Sequence, residues 1–162
     1  MSEVRAELET DHRLPDGRRP VAGAVLVNRS GQLLLQHRDD DPAIESPGKW
    51  SLFGGGLDEG ETPTEAMLRE IEEEVGYRPR AYRPLIVFSG YYAEFHVYLA
   101  EVTPPLKELV LGEGQGFGFF SREEAARLDL TEVAHLAFEA LRLLEVQRDN
   151  RGGGELLPGY GV

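Results

Sequence analysis

The chain has 162 residues, a formal net charge of −12, 41% hydrophobic and 28% charged residues, and no cysteine. That length suits a single domain over 1–162 with its own apolar core, and the composition is globular rather than disordered. The acidity argues against polymeric nucleic acid and anionic membrane surfaces as partners, and the lack of cysteine excludes disulfides, thiolate metal sites and a cysteine nucleophile.

The polar N-terminal segment, 1–19, lacks the apolar stretch of a signal peptide, and no later run is long enough to span a bilayer. The expectation is a cytoplasmic protein with no membrane partner. "VAGAVLVN" (21–28) and "QLLLQHR" (32–38) read as two strands of a hairpin around "RSG". "DDDPAIESPG" (39–48) is a loop by composition and a candidate pocket border, and "KWSLF" (49–53) is a short strand running into a turn at Gly54, Gly55 and Gly56.

Thr62, Pro63 and Glu65 form a helix start: a cap, a proline suited to the first helical position, and the T-x-x-E capping box. Gly76 is a stop signal, so a helix is predicted over 63–75. "AYRPLIVFSG" (81–90), "YAEFHVYLAEV" (92–102) and "FGFFS" (117–121) read as further strands, and two helices follow, one from "SREEAARL" and one over 132–148. The glycines of "RGGGELLPGYGV" carry a high ordering cost, so 150–162 is expected to be a loose tail. Strands mixed with segregated helices indicate an α+β or layered α/β/α domain.

The chemistry concentrates on the 63–75 helix. At about 100° per residue, Glu70, Glu73 and Glu74 share one face, while Leu68, Ile71 and Val75 form a separate stripe able to dock on a sheet. Arg69 is the only nearby cation on the helix and cannot neutralise all of them. Convergent carboxylates of this kind suit a hard cation such as Mg²⁺ or Mn²⁺. An isolated E-x-x-E-E fits a solvated charged face at least as well, but the glycines just upstream allow the backbone to approach a metal or phosphate closely.

The pattern resembles the Nudix hydrolase box, G-x5-E-x7-R-E-U-x-E-E-x-G-U, met here by Gly55, Glu61, Arg69, Glu70, Ile71, Glu73, Glu74, Gly76 and, loosely, Tyr77, where an aliphatic residue is usual. The resemblance implies an α/β/α sandwich around a mixed sheet and Mg²⁺-dependent hydrolysis of a nucleoside diphosphate linked to another group X. It implies metal-binding roles for Glu70, Glu73 and Glu74, with the Gly54 or Gly55 carbonyl as an extra ligand, and a supporting ion pair between Glu61 and Arg69. Glu70 also matches the general base of some members, although the sequence alone does not choose between the glutamates. "LGEGQGFGFF" (111–120) resembles a loop whose glutamate reaches the metal from the far side, which makes Glu113 a candidate, with an ordinary acidic turn as the alternative. "GKWSLFGGG" resembles the family's W-x-x-P-G-G lead-in, with Phe53 where proline is usual.

Candidate substrate-binding residues are Gly54, Gly55, Gly56, Trp50, Tyr92 and Phe117, with Trp50 also readable as a packing residue and Tyr91 and Tyr92 as strand residues. His12, His37, His96 and His135 show no metal spacing. The expected partner is a small nucleotide derivative, and a homodimer is common among such proteins. Two alternatives stand: a nucleotide-sugar glycosyl hydrolase of the same fold, and a non-catalytic ligand-sensing or interaction domain.

Overall fold

A computed structural model describes residues 13–162. The part of the polar N-terminal segment before residue 13, with His12, lies outside the described residues. Seven strands form one mixed sheet among them: β1 (Arg19–Val27), β2 (Leu33–His37), β3 (Trp50–Ser51), β4 (Phe53–Gly56), β5 (Tyr82–Ser89), β6 (Ala93–Glu101) and β7 (Gly116–Phe120). The path runs β3-β2-β1-β6-β5, with β4 also paired to β1 and β7 to β2. The β1–β6 pair is parallel, from Arg19 opposite Ala93 to Val27 opposite Glu101, whereas the other strand pairs are antiparallel.

Helices cover both faces: α1 (Pro63–Val75) on one, α3 (Glu132–Asn150) on the other, with short α2 (Arg122–Ala126) before α3. The period-2 alternation of β1 decides which side chains meet which helix. Ala22, Ala24 and Leu26 pack with Met67, Leu68, Ile71 and Val75 of α1, while Val25 and Val27 pack with Ala134, Ala137 and Leu141 of α3. The expected α/β/α sandwich with a mixed sheet is therefore the observed architecture. Among the described residues, no helix is long and apolar enough to cross a membrane.

The α1 bounds agree with the sequence signals. Thr62 accepts from the Glu65 amide at 3.2 Å, Glu65 reaches back to the Thr62 amide, and Gly76 closes the helix at φ +70°. Three expectations are corrected. Gly54, Gly55 and Gly56 form no turn: they belong to β4, paired with Gly23, Ala22 and Val21, because a strand lacking side chains can lie flat against β1. Tyr91 and Tyr92 lie in the connection between β5 and β6 rather than in a strand, and are 87% and 67% exposed. The segment after α3 is docked, not loose: Leu157, Tyr160 and Val162 are buried beside Val27 and Leu33, and the Leu156 amide donates to the Val162 carbonyl at 2.6 Å. The apolar residues that follow its glycines offset their ordering cost.

Candidate active site

Burying Leu68, Ile71 and Val75 against the sheet leaves the rest of α1 to carry charge past the β1–β4 ladder. Glu74 is drawn in furthest, at 6% exposure, and its Oε2 accepts the Gly54 amide at 3.0 Å. A Cβ on Gly54 would stand 2.4 Å from the Ala22 carbonyl oxygen, and one on Gly55 would stand 2.5 Å from the Glu70 carboxyl carbon. Side-chain-free backbone is thus required where β4 passes between β1 and the carboxylates.

The electrostatics follow from this crowding. Burial, then the Glu70 charge, push the Glu74 carboxyl up to about 9, with Glu113 and Glu73 adding to the rise and the Gly54 amide opposing it. Burial also raises Glu70, against the pull of Arg69, while Glu73 and Glu113 raise it further. The Glu113 charge thus acts on both Glu70 and Glu74 from outside the helix. Glu113 is carried by a loop whose Gly112 amide donates to the Glu74 carbonyl at 2.7 Å.

Arg69 braces the cluster. Its guanidinium holds both oxygens of Glu61 at 2.8 Å, donates to the Gly56 carbonyl at 3.0 Å and to Glu70 Oε1 at 2.8 Å, and lies 3.4 Å from Glu73 and 3.5 Å from Asp58. The bidentate fork holds Glu61 below the usual carboxylate range. The pair joins loop to helix, while Glu65 serves the Thr62 cap and Glu72 pairs with Arg78 at 3.3 Å.

A cleft opens on the other side of Gly54. Its inner lobe, about 120 Å³, is lined by Gly23, Gln36, Phe53 and Gly54, and its outer lobe, about 450 Å³, by Glu45, Phe88, Tyr91, Tyr92 and Glu132. Arg38, Ser51, Phe95 and Val133 line both lobes. The Phe88 and Phe95 rings stack at 5.0 Å and those of Tyr91 and Tyr92 meet edge-on at 4.6 Å. Arg38 donates twice to the Glu45 carbonyl, at 2.8 and 3.1 Å, which folds the 39–48 loop over the rim.

Of the residues singled out from sequence, Tyr92 and Gly54 line this cleft, while Gly55 and Gly56 lie on the carboxylate side. Trp50 does not line it: it stacks on His37 at 4.7 Å and meets Phe120 edge-on. Phe117 does not either, since β7 turns its ring toward the α1 face. Arg38, Ser51, Phe88, Phe95 and Thr131 are cleft residues that the sequence did not single out, because only the folded sheet brings them together. Among the remaining histidines, His96 pairs with Glu94 at 2.7 Å and His135 lies on α3.

The description "NUDIX domain" fits residues 17–144 as a family match. The chain belongs to the Nudix family. It is accordingly a hydrolase acting on pyrophosphate bonds. Among curated Nudix relatives, the RNA pyrophosphohydrolase of Pseudomonas fluorescens is 32% identical over 120 residues, 72% of this chain and 71% of that protein. The protein of the same description from Shewanella sediminis is 29% identical over 128 residues, 78% of this chain and 70% of its own length. Among solved structures, a MutT Nudix hydrolase from Burkholderia pseudomallei aligns with a TM-score of 0.65 and 30% identity, covering 76% of this chain and 97% of the other. A mutT/nudix family protein from Listeria innocua aligns with a TM-score of 0.67 over 85% of this chain and 99% of its own, at 24% identity, and so supports the fold alone.

The donor set of this Nudix site fits a divalent cation by its chemistry: four hard carboxylates, two of them raised by burial and mutual repulsion, beside strand backbone with no side chains. Among the described residues, no three His, Cys, Asp or Glu side chains stand close enough together to hold a metal ion as they are placed. Glu70 is tied to Arg69, and the Glu73 side chain is 59% exposed.

Proposed function

We propose that the protein is a Mg²⁺- or Mn²⁺-dependent hydrolase of a nucleoside diphosphate linked to another group X, with a small nucleotide derivative seated in the cleft. The observation that carries this reading is the position of Gly54, which lines the inner lobe with one side of its backbone and donates its amide to Glu74 with the other. A phosphate held at that strand would lie between an aromatic-walled nucleoside pocket and the carboxylate cluster.

Glu70, Glu73, Glu74 and Glu113, with the Gly54 or Gly55 carbonyl, would hold the cation, whose chemistry is to neutralise phosphate charge and acidify water. The chain's own contributions are specific. Phe88, Phe95 and Tyr92 give a base flat faces to stack on, and the Arg38 guanidinium is the cation lining both lobes, suited to an anionic oxygen. Glu61 and Arg69 brace the β4–α1 junction. Glu70 is the proposed proton acceptor at Oε2, since Oε1 is engaged by Arg69 and burial raises its affinity for a proton.

The curated relatives' description, RNA pyrophosphohydrolase, supports a second form of X: the 5′ end of an RNA, with the diphosphate at its terminus. A net charge of −12 weighs against a long polyanion lying along the surface. The test is a release assay with Mg²⁺ over nucleoside triphosphates, nucleotide sugars, ADP-ribose, dinucleoside polyphosphates and 5′-triphosphorylated RNA. Glu74→Gln is expected to lower the best rate by at least about 100-fold. An unchanged rate, or no turnover of any substrate by the wild type, would reject the proposal. Hydrolysis in ¹⁸O-labelled water then distinguishes attack at phosphorus from attack at a sugar carbon.

A further inference from the structure

Tyr77 is the one box position where the sequence departs from the expected aliphatic residue, and the structure gives its hydroxyl a partner. That hydroxyl donates to the Glu101 carboxylate, 2.7 Å from Oε1 and 2.9 Å from Oε2, with Thr103 Oγ1 at 3.0 Å. Glu101, at the end of β6, is 1% exposed. Its Oε1 also accepts the Arg80 amide at 2.7 Å, and its Oε2 lies 3.4 Å from the Tyr160 hydroxyl of the docked C-terminal segment. Burial raises both tyrosines above their ordinary range, so both remain protonated donors at neutral pH. A carboxylate buried this fully is costly unless such donors satisfy it, and removing one leaves the charge under-compensated.

The network stands directly behind the metal-ligand candidates. Tyr77 follows Gly76, the cap of α1, one turn from Glu73 and Glu74. The same turn holds the Glu113 loop: the Val110 amide donates to the Val75 carbonyl at 3.1 Å and the Gly112 amide to the Glu74 carbonyl at 2.7 Å. The approach is close enough that a Cβ on Gly112 would stand 2.7 Å from the Glu73 carbonyl oxygen. Glu73, Glu74 and Glu113 therefore share one backbone junction, and its outer side is fixed to β6 through Tyr77 and Glu101.

We propose that Tyr77, Glu101 and Tyr160 are positioning residues that couple docking of the C-terminal segment to the cation affinity of the Glu70–Glu73–Glu74–Glu113 cluster. None of the three lines the cleft. They act by holding the last turn of α1, and with it the Glu113 loop, at one height over β4. The inference rests on the metal-dependent reading above, and its test separates the two.

Mn²⁺ binding is measured by calorimetry without substrate, alongside thermal melting, for the wild type, Tyr77→Phe, Tyr160→Phe and the double variant. Tyr77→Phe keeps the ring and removes the donor, and is expected to weaken Mn²⁺ binding by about 3- to 10-fold, at the lower end of losses seen for groups that orient metal ligands. Tyr160→Phe should weaken it in the same direction by less, and the double variant by less than the product of the two. A lower melting temperature with unchanged Mn²⁺ affinity in both single variants would reduce the network to a structural pin and overturn the proposal. Should Tyr77→Phe fail to fold, unchanged affinity in folded Tyr160→Phe overturns it equally. A wild type that neither binds Mn²⁺ nor hydrolyses any substrate would instead reject the metal-dependent reading itself.

Discussion

Glu74 carries the most altered acid–base behaviour described for this protein, and its sign has a consequence for stability. Its ordinary carboxyl value of 4.5 becomes about 9 in the folded chain. Between those values the folded protein retains a proton that the unfolded chain has released, so folding is favoured by lowering the pH. The contribution is complete below about 4.5 and is lost as pH rises through about 9. Glu70 is raised and acts in the same direction, whereas Glu61 is lowered by Arg69, so its contribution is lost only at the acid end. Metal-stripped protein should therefore melt at a higher temperature near about pH 6 than near about pH 9, and Glu74→Gln should flatten that difference. Added Mg²⁺ should raise the melting temperature most at the alkaline end, where the cluster carries its full charge. A melting temperature independent of pH over this range would contradict the raised carboxyl.

At the scale of elements, β4 and α1 form the working unit, and neighbouring glycines in β4 have separable duties. Gly54→Ala drives a methyl into the Ala22 carbonyl of β1, so it should break the β1–β4 ladder and cost about 2–4 kcal/mol in denaturant unfolding. Gly55→Ala meets the Glu70 carboxylate instead, which is a side chain able to move. It should lose at least about 10-fold in rate while losing less stability than Gly54→Ala, and the reverse ranking would refute the division of labour. How far such features could be read from sequence depends on how local their causes are. Thr62, Pro63, Glu65 and Gly76 fix α1 within a few residues of chain, and the glutamate spacing follows from helix geometry alone. The cleft was illegible by contrast: Arg38, Ser51, Phe95 and Thr131 lie on four separate segments with no shared motif. The β4 glycines were misread for a related reason, since glycine signals a turn locally and only pairing with β1 makes it a strand.

The whole molecule is closed at one end by the segment after α3. Leu157, Tyr160 and Val162 fill the α3-side core beside Val27 and Leu33, and Arg83 of β5 donates to the Leu156 carbonyl at 3.2 Å. Removing residues 152–162 should lower the melting temperature by about 5–10 °C, because three buried side chains are lost and the core beneath them meets water. An unchanged melting curve would mean that the segment contributes no net stability. The sequence hid this docking because the glycines stand before the apolar residues, and composition alone does not show that β1 and β2 leave a surface for those residues to cover.

The position of β1 also governs how the chain is made. Its long partner β6 begins at Ala93, paired with Arg19, so the apolar run of β1 leaves the ribosome more than seventy residues ahead of the strand that completes it. At about 5–20 residues per second that is on the order of 4–15 s during which its β6-facing edge has no native partner. The nascent protein thus passes through an aggregation-prone interval set by topology rather than by stability.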